Sequence, residues 1–474
     1  MRTQASEELL ALYDRAPLNR RYWTSFILLA AVYILDFFDF FLIAFILSVI
    51  GPRWHLTYGK AALILYGSGV GAIVGSLVWG SLSDVFGRKL QIVTGTLICG
   101  VSAGLIGLLP TGAFITLAAL RILVGFGLAA AITPALTIIV EATPTRWRTG
   151  MTSFFVLTAS AGPFLASFAA AALLRPLGWR GLAMLGFVPI AIGALVSIFV
   201  PESARWLLAK GRFEEARRAV AGHLGIALEQ VPAPAARPIR EPRASLAELY
   251  AQPRLFWQTL LLWGGSTTAA FGYLLWGPTI VALALHTPAP QAARYFVYVS
   301  GAAMIGRILV ALIVQRIGRR SIGIVFGFVA AIALVLAGYF HAVVIGGFPV
   351  FVILVAAAAF FIDGGLANLA PYTIEQYGVR LGARSSGLGH AAAGVGKITG
   401  PLILALIAGS GNLIRPKATA AAVFPAFLVL AASMLAVAFA FVFLAVEMHG
   451  RAIALDAERA PARVGERFGA QRSQ

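Results

Sequence analysis

Two aspartates stand three residues apart inside one long apolar run, Tyr33-Ile34-Leu35-Asp36-Phe37-Phe38-Asp39-Phe40-Phe41. At helical spacing Asp36 and Asp39 share one face. Measured from Arg21 they lie about 22 and 27 Å along a helix axis, and Arg121, in another apolar run, reaches a matching depth about 30 Å from Glu141. Charges set that deep in hydrocarbon are expensive unless paired or hydrated, so a functional role is the first reading. An Asp–Arg pair satisfies both charges, and protonating the acid releases the arginine, which is the least that coupling to a proton requires. A permanent clasp between the two helices is the alternative, and the spacing leaves open which aspartate pairs with Arg121. Arg307, Asp363 and Lys397 form a second set on three further apolar runs. Counted from Arg319, Glu375 and Arg384, all three sit roughly 18 to 20 Å from one end of their helices.

The elements that must position these side chains follow from composition. Hydrophobic residues make up 59% of the 474, charged residues 12%, and mean hydropathy is +0.87, against roughly 45–50% apolar and about 25% charged in soluble domains. The chain is an integral membrane protein, and its runs lack the alternation of barrel strands. Runs of about 20 apolar residues place spans near 23–50, 60–82, 91–110, 113–140, 150–174, 181–200, 256–285, 292–315, 321–340, 345–377, 385–409 and 418–446. From Pro201 to Pro253 the chain turns charged and proline-punctuated. The expected layout is a tail over 1–22, a six-helix half over 23–200, and a linker with short amphipathic helices over 201–255. A second half over 256–446 and a tail over 447–474 complete it.

A net charge of +18 would in a soluble chain point to nucleic acid. Here the positives fall on alternate loops, from Arg20/Arg21 and Arg88/Lys89 through Arg316/Arg319/Arg320 to the tail from Arg451. That is the positive-inside pattern, so both termini are expected in the cytoplasm and no nucleic-acid partner is implied. The first 22 residues carry Glu7, Glu8 and Asp14 ahead of a run too long for a signal peptide, and read as a cytoplasmic tail. Cys99, the single cysteine, reads as a packing residue. The six histidines lack metal-ligand spacing. With no nucleotide loop, metal cluster or nucleophile triad, neither an enzyme nor a cofactor is expected.

The chain also repeats itself. Gly80-Ser81-Leu82-Ser83-Asp84-Val85-Phe86-Gly87-Arg88-Lys89 has a copy ending Gln315-Arg316-Ile317-Gly318-Arg319-Arg320, and the Glu141 to Gly150 loop has one at Glu375 to Arg380, with Arg384 following. With Arg121-Xaa-Xaa-Xaa-Gly125-Xaa-Gly127 and Pro201-Glu202-Ser203-Ala204-Arg205-Trp206-Leu207, these motifs resemble the major facilitator superfamily over about residues 20 to 450. The resemblance implies an all-α membrane protein of twelve transmembrane helices in two six-helix halves, monomeric, multi-pass in a cell membrane (the bacterial inner membrane), working by alternating access. It also implies a cytoplasmic gate of Gly80, Asp84, Gly87, Arg88, Glu141, Arg148, Arg319, Glu375 and Arg384. Gln315 stands where the copy should carry an acid, so the lock is expected to lean on Asp84.

Such transporters hold cargo near the midplane between the halves. Two cations, Arg307 and Lys397, over one acid, Asp363, point to an anionic cargo. Phe37, Phe38, Tyr273, Trp276, Tyr372 and Asn368 are the expected lining, with Tyr273 and Trp276 stacking on a flat acid. Leu35-Asp36-Phe37-Phe38-Asp39 and the text from Trp263-Gly264 to Tyr273 resemble bacterial niacin transporters and aromatic-acid:proton symporters, relatives of synaptic vesicle glycoprotein 2 and of organic cation and anion transporters. The aromatic-acid symporters usually carry Gly where this chain has Phe37, which leans toward the niacin side. The implied activity is proton-coupled import of a nicotinate-like anion. A sugar:proton symporter, an organic-cation transporter and a non-transporting membrane sensor are the rivals. Sugar porters use an amide-rich helix 7 face, and Trp263 to Pro278 holds no Asn or Gln.

Overall fold

Apolar runs of this length can satisfy their backbone polar groups in hydrocarbon only as helices. The computed structural model describes residues 4–232, 247–378 and 381–447. Among them, 11 continuous helical stretches are long and apolar enough to cross a membrane. One of these, Thr145–Phe199, runs 55 residues, about 80 Å and more than twice the hydrocarbon thickness. It breaks at Gly178, where φ is +64°, and both pieces pack along the first span. Counted as two crossings, it brings the total to the expected twelve.

The first half comprises α2 (Arg20–Arg53), α3 (Tyr58–Phe86), α4 (Arg88–Leu105), α5 (Phe114–Ala142), α6 (Thr145–Thr158) continued by α7 (Ala161–Met184), and α8 (Val188–Phe199). The second comprises α12 (Pro253–Ala284), α13 (Ala289–Ile317), α14 (Arg319–Tyr339), α15 (Val350–Tyr377), α16 (Gly382–Ile407) and α17 (Pro416–Phe443). Helices pack chiefly within their own half, and the halves meet along α3–α16, α7–α13 and α2–α12. Helix ends fall within a few residues of the expected spans. The start of the tenth differs: Val344–Ile345 and Phe348–Pro349 pair as an antiparallel hairpin across Gly346-Gly347, a turn that suits paired glycines, so α15 begins only at Val350.

The chain before the first span is helical too, as α1 (Gln4–Arg15). Leu9 and Tyr13 of α1 pack with Trp206 and Leu207 of α9 (Ala204–Ala209) and Val220 of α10 (Phe213–Leu224). Polar bonds bind this cluster to the first half. Asn19 donates to the carbonyls of His223 (3.2 Å) and Leu224, and Ser203 Oγ donates to the Glu141 carboxylate. The Glu202 carboxylate accepts from the backbone N–H groups of Arg88 (3.0 Å) and Lys89 (3.1 Å), closing the N-terminus of α4, where the helix dipole favours a negative charge. Gly87 (φ +93°) lets the acid approach. The second half repeats the device, with Gly318 (φ +90°) leading into α14 and the Glu447 carboxylate against it. A short α11 (Ala247–Tyr250) precedes α12.

The halves are zipped together at the end far from this linker cluster. Tyr58 N–H donates to Asn412 O (3.0 Å), Gly59 N–H to Ser410 O (2.9 Å) and Ile414 N–H to Leu56 O (3.0 Å). The Tyr58 hydroxyl meets Thr419 Oγ1 at 2.6 Å, and its ring packs on Trp276. Deeper in, Ser167 and Ser300 join α7 to α13 at 2.8 Å. Toward the linker end the same interface parts. A β-carbon at Gly69 of α3 would stand 3.1 Å from Lys397 Cβ of α16, yet two to three turns on, side chains at Gly80 and Gly387 would meet nothing within 4 Å. Leu77 is 73% exposed there. The molecule is closed at the far end and open toward the linker end.

Removing the Tyr58 hydroxyl deletes its bond to Thr419 Oγ1 and a longer one to Arg415 O (3.5 Å), together worth about 1 kcal/mol net. Tyr58→Phe therefore speeds hydrogen exchange at the Tyr58, Gly59 and Ile414 amides about fivefold; unchanged protection would show that the hydroxyl does not hold the seal.

Candidate functional site

The buried charges of the first half come from α2 and α5. Asp36 is 0% and Asp39 2% exposed, and neither carboxylate has a hydrogen-bond partner among the described residues. Arg121, equally buried, passes both of them by. It donates Nη1 to the main-chain carbonyl of Asp39 (3.1 Å) and Nη2 to that of Phe40 (2.9 Å). The clasp and the free acid thus exist together: the arginine ties α5 to the α2 backbone and leaves the carboxylates unclaimed. Small residues permit the approach. Ser68 Oγ of α3 donates to Arg121 O at 2.9 Å, and a β-carbon at Gly125 would collide with the Ser68 carbonyl.

In the second half, Arg307 of α13 and Asp363 of α15 form an ion pair, with Nη2 2.9 Å and Nε 3.2 Å from Asp363 Oδ1. Tyr273 of α12 donates its hydroxyl to Asp363 Oδ2 at 2.8 Å. Both carboxylate oxygens are therefore engaged and Arg307 has its counter-ion. Lys397 does not. Among the described residues no carboxylate forms an ion pair or hydrogen bond with its ammonium. Nζ instead lies 5.6 Å from the ring centroids of both Phe40 and Phe271. The Arg121 guanidinium lies 5.7 Å from the same Phe40 ring, so one ring of α2 is near a cation of each half.

The remaining candidates fall into three places. Trp276 is buried at the far-end seal and donates Nε1 to Pro401 O at 2.7 Å. Phe37 packs on Tyr33 and Phe38 lies in the core. Asn368 and Tyr372 sit one to two turns or more toward the linker end from Asp363. There Asn368 Oδ1 accepts from Arg319 Nη1 (3.1 Å), and the Tyr372 hydroxyl donates to Val446 O (2.7 Å). The structure thus gathers Asp36, Asp39 and Arg121, joins Arg307, Asp363 and Tyr273, and sets Asn368 and Tyr372 apart.

The residues expected at the gate lie at the linker end. Arg319 binds Glu375 at 2.8 Å within the second half. Glu141 is held by Ser203 of the linker, and Arg148 reaches Thr143 O (3.2 Å) in the first half and Asp14 (3.5 Å) of the N-terminal segment. Arg384 lies in the first turn of α16. The side chains of Asp84 and Gln315 lie outside the described residues. Phe40 belongs to the run of first-span aromatics that hints at cargo shape, but neither its contact with Lys397 nor that of Phe271 is readable from sequence context. The available signal was spacing, since Phe40 follows Asp36 by four residues and Phe271 precedes Tyr273 by two.

The family profile described as Major Facilitator Superfamily matches residues 29–346. The chain belongs to this superfamily. It is a multi-pass membrane transporter and not an enzyme. Its sequence is 26% identical over 411 residues to the niacin transporter NiaP of Acinetobacter baylyi, covering 84% of this chain and 90% of that one. It is 30% identical over 217 residues to the 4-hydroxybenzoate transporter PcaK of the same organism, covering 44% and 46%. In fold it is similar to the xylose transporter XylE of E. coli in a partially occluded inward-open conformation, with a TM-score of 0.65 at 19% identity over 92% of this chain and 100% of that one. It is also similar to a bacterial homologue of the lysosomal transporter Spinster in an inward-facing conformation, with a TM-score of 0.65 at 16% identity over 89% and 96%.

Proposed function

We propose that this transporter imports a small organic anion, an aromatic carboxylate such as nicotinate, together with a proton, by alternating access. The observation that carries the reading is Lys397, a half-buried lysine whose ammonium has no carboxylate partner among the described residues, where the two halves meet. Arg307 is already neutralised by Asp363, which leaves Lys397 to receive the cargo's carboxylate. Niacin and 4-hydroxybenzoate, named for two similar proteins, are both flat aromatic acids, and that supports the cargo class. The likeness to xylose transporters is one of fold alone.

The proton follows from charge. The six charged side chains set deepest in the spans are Asp36, Asp39 and Asp363 against Arg121, Arg307 and Lys397, three formal charges of each sign. A monoanionic cargo adds a negative charge to a region where uncompensated charge is expensive, and one proton on Asp36 or Asp39 offsets it. Their carboxylates, bound to nothing else among the described residues, are free to take it. By the positive-inside pattern the linker end faces the cytoplasm, so this conformation opens inward. The gate is assigned to Gly80, Asp84, Gly87, Arg88, Glu141, Arg148, Arg319, Glu375 and Arg384, and the working unit is the monomer.

The unclaimed aspartates also suit a cationic cargo. Competition of labelled nicotinate uptake by unlabelled nicotinate, a quaternary amine and glucose separates the readings; only the first should compete. Lys397→Met should weaken nicotinate binding about ten- to a hundredfold, the value of one lost charge-assisted bond, while leaving nicotinamide within about twofold; equal weakening of acid and amide would mean a folding role. Asp36→Asn or Asp39→Asn should abolish uphill, pH-driven uptake yet retain exchange, and the proton proposal ends if both variants still concentrate cargo.

A further inference from the structure

Lys397 has rings where a counter-ion would be expected. Its ammonium is equidistant, at 5.6 Å, from Phe40 of α2 and Phe271 of α12. The two rings meet edge to face with centroids 5.2 Å apart, and Phe41 closes on Phe271 at 5.3 Å. Phe40 and Phe271 are 2% and 6% exposed, so the ring side of the contact is shielded from water, where a ring's negative face attracts a cation more strongly. The rings come from opposite halves, and a β-carbon at Gly69 would press on the lysine stem. The ammonium is thus steered to the junction of the halves with no acid among the described residues to hold it.

We propose that Phe40 and Phe271 serve Lys397 as a stand-in counter-ion and, by doing so, set the preference for aromatic over saturated acids. The inference rests on Lys397 being the carboxylate site. A carboxylate that binds the ammonium draws it away from two ring faces. A saturated acid returns nothing to those faces, so part of its ion-pair gain is lost. An aromatic acid presents its own ring to Phe40 and Phe271 in the edge-to-face or offset arrangements such rings favour, and the loss is made good. Selectivity then comes as much from disfavouring the wrong acid as from binding the right one.

The test uses the purified full chain and two acids of similar size, benzoate and cyclohexanecarboxylate, each competed against labelled nicotinate. The wild type should bind benzoate at least about fivefold more tightly, the scale of one aromatic contact; equal affinities overturn the proposal with no variant needed. Phe40→Leu and Phe271→Leu should each lower benzoate affinity about fivefold while cyclohexanecarboxylate stays level or gains, so that the ratio collapses. Phe40→Tyr and Phe271→Tyr, which keep the ring, should keep the ratio. A parallel loss of both acids in the leucine variants, or an unchanged ratio, overturns the role of the rings. Lys397→Met answers separately for the carboxylate site: undiminished binding of both acids there would remove the site itself, whatever the ratios show.

Discussion

A charge placed in hydrocarbon needs a partner, and in this molecule the pairing is left incomplete in a particular way. Arg307, Asp363 and Tyr273 close on one another across three helices and form a locally neutral unit. Arg121 is engaged by two main-chain carbonyls of α2, which holds its guanidinium without consuming an acid and leaves Nε without a partner among the described residues. What remains is two carboxyls in the first half and one ammonium in the second. Of the six charged side chains set deepest in the spans, and with all of them ionised, Asp36, Asp39 and Arg121 sum to −1 in the first half and Arg307, Asp363 and Lys397 to +1 in the second. Among these six, each half is out of balance alone and balanced against the other, which is the basis for proposing that cargo and proton are handled at the interface between them.

The scaffold holds that interface with an asymmetric grip. Main-chain bonds between Leu56–Gly59 and Ser410–Ile414 do not depend on side-chain identity, and Tyr58 fastens them to the core. At the other end, among the described residues, Arg319 and Glu375 bond within the second half and Ser203 of the linker bonds Glu141 of the first. Those short internal bonds let each half stay rigid while the gap between them widens. The glutamates at Gly87 and Gly318 extend the same logic, fixing α4 and α14 to the segment that ends each half.

Much of this was legible from the chain alone. The apolar runs placed the spans because helix formation in lipid leaves the backbone no other choice, and the spacing of Asp36 to Asp39 put two acids on one face. The depth count brought Arg307, Asp363 and Lys397 to one level, and the surplus cation it implied is the ammonium that has no carboxylate beside it. Tertiary choices were not legible. Spacing cannot show that Arg121 prefers carbonyls to carboxylates, nor that Tyr273 donates to Asp363 instead of facing a cavity. Asn368 and Tyr372 share a helix with Asp363, but a helix rises through the membrane, and five to nine residues carry them to the level of Arg319 and Val446. Phe40 and Phe271 were hidden for another reason: in a chain with 32 phenylalanines, a ring that faces a cation looks in sequence like one that faces lipid.

The central claim is that Lys397, not Arg307, receives the carboxylate. A structure of the protein with nicotinate bound tests it most directly. The account predicts the carboxylate within hydrogen-bond distance of Lys397 Nζ, with the Arg307–Asp363–Tyr273 unit unchanged. A carboxylate seated on Arg307 with Asp363 displaced, or one that leaves Lys397 against Phe40 and Phe271, would contradict it.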